Sequence, residues 1–390
     1  MSGTLSSLYI HIPYCISKCA YCDFFSLPQG RTVPEEYVEA LCKEISYRVS
    51  DLKISELKTV YIGGGTPSLL SSSQYKKIFT TIKTSTKLST AAEITVEVNP
   101  DDVSIQLLEN LTQCGVNRIS CGLQSMNDAI LKRACRRADS ATNRKALALI
   151  NEYWKGQTSF DLISGLPGEV EKSLLAGLEE VVSYNPSHIS LYSLTIEEKT
   201  PFGKALEAGQ LDYDFDFADK LWLSGRNYLE SQGYKWYEVS NFCRQGKECV
   251  HNLVYWTHGG YLGCGAAACG TLYYEDGSGF RWTNTNDLAK YIKFWGERAD
   301  GLLPLISEQI DKETSQFEFF MMGMRKLTGI SQSDYQKVFG ESLPEKFLRV
   351  FSDWEKKGLC VKREASDGNG IYAMSREGML FLNRFNMELL

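Results

Sequence analysis

Leu8-Tyr9-Ile10-His11-Ile12-Pro13-Tyr14-Cys15-Ile16-Ser17-Lys18-Cys19-Ala20-Tyr21-Cys22 joins two signals in one stretch. Residues 8–12 read as a short apolar strand, and the loop after it carries three cysteines spaced C-x3-C-x2-C. Downstream the strand-then-loop unit recurs, each time followed by an amphipathic helix. Strands are predicted over 59–62, 93–98, 117–122, 158–163 and 188–194. Helices are predicted over 35–49, 74–83, 105–113, 142–154 and 174–184, where apolar residues fall at three- and four-residue steps. Such alternation implies an α/β fold with parallel strands joined by right-handed crossovers. Six units suit either an open doubly wound sheet or a partial (β/α)6 barrel, and in both the chemistry belongs at the carboxyl ends of the strands.

The unusual residues lie at those ends: Gly63-Gly64-Gly65-Thr66-Pro67 after the second strand, Glu97 and Asn99-Pro100 at the third, Gly122-Leu123-Gln124-Ser125 at the fourth, Asp161 and Gly165-Leu166-Pro167-Gly168 at the fifth. This run of punctuated strand ends predicts one shared site.

The chain divides into a barrel region over 1–200, a less regular extension over 201–310 and a C-terminal region over 311–390. The extension holds a helix over 217–232 and a Gly- and aromatic-rich segment over 251–282. In the last region, helices over 314–327, 331–339 and 345–357 precede a hairpin over 359–373 with its turn at 367–370, and a helix over 376–388 closes the chain. That order resembles a winged helix. With 12 Lys/Arg against 12 Asp/Glu the region is neutral, which argues against nucleic acid as a partner, since phosphate contacts supply most of such binding. It is expected to cover one face of the site.

The whole chain has 390 residues and a net charge of −6, with 43% hydrophobic and 23% charged residues. That is a globular composition, long enough for two or three domains, and it disfavours a strongly basic nucleic-acid binder. No apolar run approaches the ~20 residues of a membrane span, and the first residues lack a basic and apolar leader, so a cytoplasmic protein is expected. In a reducing compartment, clustered cysteines point to metal or redox chemistry more than to disulfides. Cys42, Cys114, Cys135 and Cys360, scattered in apolar surroundings, read as ordinary core or near-surface residues.

Cys15, Cys19 and Cys22 are different. A structural zinc site uses four protein ligands, so a zinc reading needs His11 or a remote Cys to complete the set. A cubane iron–sulfur cluster held by three thiolates leaves one iron open to a small molecule, which suggests catalysis and not electron storage.

C-x3-C-x2-C with Tyr21 before the last Cys resembles the cluster loop of radical S-adenosylmethionine (SAM) enzymes. Together with Tyr9-Ile10-His11-Ile12-Pro13-Tyr14-Cys15, Gly63-Gly64-Gly65-Thr66-Pro67-Ser68, Glu97-Val98-Asn99-Pro100, Gly122-Leu123-Gln124-Ser125 and Asp161-Leu162-Ile163-Ser164-Gly165-Leu166-Pro167-Gly168, it is similar to the oxygen-independent coproporphyrinogen III oxidase-like group, over about residues 5–390. The resemblance implies a partial (β/α)6 TIM-like radical SAM barrel with a C-terminal winged-helix-like domain. It implies a [4Fe-4S] cluster on Cys15, Cys19 and Cys22, with SAM on the open iron. By motif position, Tyr9, Gly64 and Glu97 would contact that SAM. In relatives with two SAM molecules, Tyr21, Gly65, Thr66, Gln124, Arg136, Asp161 and Thr195 would contact the second.

Three features favour the heme-chaperone branch, the HemW type, over the true oxidases. The oxidases carry a further Cys two residues after the third ligand, where this chain has Phe24. His251-Asn252-Leu253-Val254-Tyr255-Trp256 matches the H-N-x-x-Y-W motif of the chaperones. The stretch before the cysteine loop is short. The resemblance therefore implies heme, a heme-acceptor protein and an electron donor for the cluster as partners, with no coproporphyrinogen oxidase activity. A radical SAM porphyrinogen oxidase or tetrapyrrole-modifying enzyme is the alternative. His251 is the candidate heme ligand, and a packed aromatic turn is the other reading of its surroundings. Relatives commonly place histidines near Ala138 and at Cys269; this chain departs from them there, and Cys269 is a second candidate axial ligand.

Overall fold

The computed structural model describes residues 5–28, 30–297, 305–364 and 368–390. The six predicted strands are β1 Ser7–Ile12, β2 Glu56–Gly64, β3 Lys87–Val98, β4 Arg118–Gln124, β5 Gln157–Ser164 and β6 His188–Ser193. Three more join them: β7 Lys235–Glu238, β8 Asn241–Cys243 and β9 Leu262–Cys264. The nine form one sheet in the order β9-β1-β2-β3-β4-β5-β6-β8-β7. β9 and β1 to β6 run parallel, and β8 and β7 are antiparallel additions.

This order decides between the two sheet types. Right-handed crossovers that always step to the next neighbour put every crossover helix on the same face. A doubly wound sheet reverses direction at its first strand; here β1 meets β9 instead. The opposite face turns inward, and the sheet is a partial barrel.

Residue alternation shows the same thing. Val60, Ile62, Ile94, Val96, Ile119, Cys121, Phe160, Leu162, Ile189 and Leu191 are buried and form the apolar side of the strands, continuous with the crossover helices in one core. The alternate set is polar: Thr59 and Glu93 are register partners, as are Glu97 and Ser120, Ser120 and Ser159, and Gly122 and Asp161. The barrel interior is thus a polar chamber and not the packed apolar column of a complete TIM barrel.

The region after residue 200 is not a separate annex to the barrel. β7 and β8 extend the β6 edge and β9 covers the β1 edge, so residues 235–264 finish the sheet at both sides. The expected boundary at 200 therefore cuts through one sheet. The helix Val250–Trp256 closes the floor, at the amino ends of the strands. Glu93 reaches its first turn and accepts from the backbone N–H of Val250 (3.0 Å) and His251 (2.9 Å), a carboxylate at the positive end of a helix.

A three-stranded antiparallel sheet follows, Cys269–Tyr273, Gly279–Asn284 and Leu305–Ile310. The C-terminal region supplies helices Lys312–Gly323, Gln332–Phe339 and Glu345–Lys356, a three-stranded sheet in which Gly370–Met374 lies between Ile330–Ser331 and Cys360–Glu364, and a final helix Leu382–Leu389. Asp367 of the predicted turn lies outside the described residues. This region docks at the floor: Leu327 N–H donates to Tyr237 O (3.1 Å), Arg325 lies over the Trp256 ring (5.0 Å), and Arg376 pairs with Glu230. Among the described residues none from this region lines the barrel's main cavity, where the sequence led to the expectation that it covers one face of the site. No helix among the described residues is long and apolar enough to cross a membrane.

Candidate functional site

The carboxyl ends of the barrel strands open into a cavity of about 420 Å³. Its walls carry Cys15, Cys19, Tyr21, Cys22, Gly64, Gly65, Thr66, Glu97, Gln124, Arg136, Asp161 and Thr195. The structure brings these sequence-predicted residues together from every barrel strand end. Tyr9, His251 and Cys269 are the three candidates that it places elsewhere.

The cysteine loop is anchored by backbone: Ala20 N–H donates to Ala134 O (3.0 Å), Phe202 N–H to Ala20 O (3.0 Å), and Leu27 N–H to Pro13 O (2.7 Å). His11 sits behind it. One ring nitrogen, Nδ1, meets Tyr9 Oη (2.9 Å) and the other, Nε2, meets Phe25 O (2.9 Å). Tyr9 is not in the cavity wall; it steadies the His11 ring. The His11 ring in turn fixes Gly64, which has φ +113° and would bring a Cβ to 2.6 Å from it. A Cβ on Gly65 would strike the carbonyl oxygens of Tyr14 (2.7 Å) and Ile12 (3.0 Å). The two glycines let bare backbone line the cavity.

These facts bear on the metal question. Both His11 nitrogens are engaged, so His11 does not complete a zinc site. Among the described residues no three His, Cys, Asp or Glu side chains converge on a point that a single metal ion would fill. A cubane takes its thiolates on separate irons, so three cysteines of one loop facing a shared cavity fit that group.

The other polar groups fit a small charged ligand beside it. Glu97 Oε1 accepts from Tyr61 Oη (2.9 Å) and Oε2 from Gly64 N–H (3.1 Å). Burial pushes its carboxyl up to about 7 despite those bonds. Asp161 accepts from Ser120 Oγ (2.8 Å) and Ser159 Oγ (3.1 Å), and burial raises its carboxyl too. Gln124 lines the wall with φ +68°, a left-handed backbone uncommon for a residue with a side chain and a form of strain that collects at functional sites. Arg136 donates to Asn99 Oδ1 (2.7 Å), Gly122 O (2.6 Å) and Cys19 Sγ (3.6 Å), while its Nε is buried without a partner.

His251 is only 1% exposed, on the barrel floor. Its Nδ1 meets Thr59 Oγ1 (2.8 Å), its Nε2 meets Tyr255 Oη (2.8 Å), and its ring stacks on Tyr61. Burial drops its pKa to about 3, so the ring is neutral. Neither nitrogen is free for iron, and axial ligation does not fit this geometry. The motif instead ties the helix Val250–Trp256 to β2. Cys269 is half-buried beside Tyr261, away from the cavity.

Sequence reasoning missed several wall residues. Asn99 was noted only as strand-end punctuation, and it holds Arg136. Tyr192 and Ser120 project inward at alternate strand positions, the signal that would have found them. Arg137 is committed to Asp101 (3.4 Å) and Asp102 (3.0 Å). Phe24 stands at the rim, 69% exposed.

Residues 9–181 match the radical SAM superfamily. Over 375 residues the chain is 36% identical to "Heme chaperone HemW" of Buchnera aphidicola subsp. Schizaphis graminum, covering 90% of this chain and 95% of that protein. Against "Heme chaperone HemW" of Escherichia coli it is 33% identical, over 97% of this chain and 96% of that one. Among solved structures, coproporphyrinogen III oxidase (HemN) of Escherichia coli superposes with a TM-score of 0.80 over 99% of this chain and 90% of that chain, at 19% identity, and shares its fold. With its strand order, cysteine loop and near full-length similarity to these relatives, the chain belongs to the HemW family of radical SAM proteins.

Proposed function

We propose that the protein is a heme chaperone: it binds heme and passes it to an acceptor protein, and it carries a [4Fe-4S] cluster on Cys15, Cys19 and Cys22 with SAM beside it. Similarity to HemW proteins along the whole chain carries this reading. Heme is cargo here. The partners it calls for are heme, a heme-acceptor protein and a low-potential electron donor, in the cytoplasm, where twelve unpaired thiols stay reduced.

Bound in this cavity, the cluster would supply one electron at the sulfonium of SAM. The protein's residues would hold and orient that molecule. Glu97 would accept from its amino group, Asp161 would accept from ribose hydroxyls, and the Gly64–Gly65 backbone would admit it close to the wall. Tyr21, Thr66, Gln124 and Thr195 line the remaining space.

The wall also argues against the oxidase alternative. Its buried cations are taken, Arg136 by Asn99 and Gly122 and Arg137 by two aspartates, which leaves them poor partners for substrate propionates. Phe24 offers a hydrocarbon where the oxidases have a thiol. Reconstituted protein given heme is expected to retain about one heme per chain by absorption after gel filtration. Given SAM, reductant and coproporphyrinogen, it is expected to form no protoporphyrinogen. Robust porphyrinogen turnover would replace the chaperone reading with the enzyme one.

The raised Glu97 carboxyl makes SAM binding depend on pH. Below pH 7 Glu97 is protonated and is a weaker acceptor for the cationic ligand; above it the carboxylate is formed. Affinity is therefore expected to fall as pH drops from 7, by up to about tenfold per unit if binding requires the ionised form. Glu97→Gln should be weak and flat across the same range. Equilibrium dialysis between pH 6 and 8 checks this, and a flat wild-type profile removes Glu97 from the ligand.

A further inference from the structure

Two of the three cluster cysteines are met by a side-chain hydrogen-bond donor. Thr66 Oγ1 donates to Cys15 Sγ (3.3 Å) and Arg136 Nη1 to Cys19 Sγ (3.6 Å). The two side-chain donors come from different strand ends, after β2 and after β4, and both are held for the purpose. Thr66 occupies the N-cap of the short 3-10 turn Pro67–Leu69, where a Thr hydroxyl ordinarily accepts a backbone N–H. Here it makes no such cap bond, is 5% exposed, and turns to sulfur. Arg136 follows Cys135, which has φ +55°, a left-handed turn that sends the next residue back into the cavity. Asn99 Oδ1 and Gly122 O then fix one Nη and leave the other facing Cys19. A buried Nε without a partner is a cost the protein bears to keep the guanidinium there.

Resting on the reading that these thiolates hold an iron–sulfur cluster, we infer that Thr66 and Arg136 set the cluster's reduction potential by donating to the Cys15 and Cys19 sulfurs. Reduction adds one electron, and the extra negative charge spreads onto the cluster and its thiolates. Donors aimed at those sulfurs stabilise the reduced form more than the oxidised form. A guanidinium does so with a full charge in a poorly solvated wall. Both residues therefore raise the potential, and Arg136 acts on the centre itself through its Cys19 contact.

The test uses full-length protein reconstituted anaerobically without SAM and titrated with dithionite, reading the reduced-cluster EPR signal against potential. Thr66→Val and Arg136→Met are each expected to lower the reduced-to-oxidised ratio at a fixed potential by roughly tenfold, a shift of about 59 mV for one electron. Thr66→Ser, which keeps the hydroxyl, should titrate like wild type. Unchanged midpoints in iron-replete Thr66→Val and Arg136→Met overturn the inference. If both variants load no iron while wild type does, the two groups build the centre and do not tune it, which overturns it as well. Wild type that loads no iron would instead sink the cluster reading beneath it.

Discussion

Protein carrying Cys15→Ala, Cys19→Ala and Cys22→Ala together, reconstituted anaerobically, is expected to hold well under one iron per chain where wild type holds about four. Among the described residues the three cysteines are the only thiols in the cavity wall, and no histidine joins them there. His11, the nearest substitute in sequence, has both nitrogens committed to Tyr9 and Phe25. The colour and the broad visible absorption should vanish with the iron, while the far-ultraviolet circular dichroism should stay, because the loop is held by backbone bonds that alanine keeps. A triple variant with a full complement of iron would show that the ligands lie elsewhere.

Gly64→Val is expected to abolish SAM binding and to deplete the cluster. Two effects add. At φ +113° a side chain is strained by about 1–2 kcal/mol, and its Cβ would lie 2.6 Å from the His11 ring, so the ring or the backbone must move at a further ~1–3 kcal/mol. Movement of His11 breaks its bond to Phe25 O, just beyond the last cluster ligand. The matching control is Gly246→Ala: it too has positive φ, +70°, but nothing lies within 4 Å of the added carbon. It should cost stability alone and leave iron content and SAM affinity unchanged. Equal losses in both variants would mean that general destabilisation, and not the cavity wall, sets the outcome.

The six barrel strands were legible as short apolar runs between amphipathic helices, and the first five carry glycine or proline punctuation near their carboxyl ends. The site followed, since those ends share one mouth in either sheet type. The inward polar set was present in plain alternation, as in Glu93-Ile94-Thr95-Val96-Glu97, yet runs such as these were read only as apolar strands. What stayed hidden depends on contacts far apart in the chain. β8 and β9 have three residues each, too few for any periodicity, and they are strands only because β6 and β1 lie beside them. His251 was ambiguous for a different reason. A heme slot and a packed floor both ask for histidine among aromatic rings, and only the partners of its two nitrogens separate them. Tyr9 shared a motif with the cluster loop, but its hydroxyl meets the His11 ring and not the cavity.

The pairing of β1 with β9 has a consequence for synthesis. Leu8 and Leu262 are register partners, so the edge strand that leads into the cysteine loop waits 254 residues for its neighbour. At about 5–20 residues per second, ribosomes need roughly 13–50 s to deliver it. Throughout that interval β1 presents an open hydrogen-bonding edge, the kind of surface on which nascent chains aggregate. The floor helix Val250–Trp256 likewise follows its anchor Glu93 by 157 residues. Iron delivered to the emerging chain would meet thiolates on an unfinished rim, so cluster loading belongs after release of the completed barrel, and slow or interrupted translation past residue 200 should yield an aggregated apoprotein.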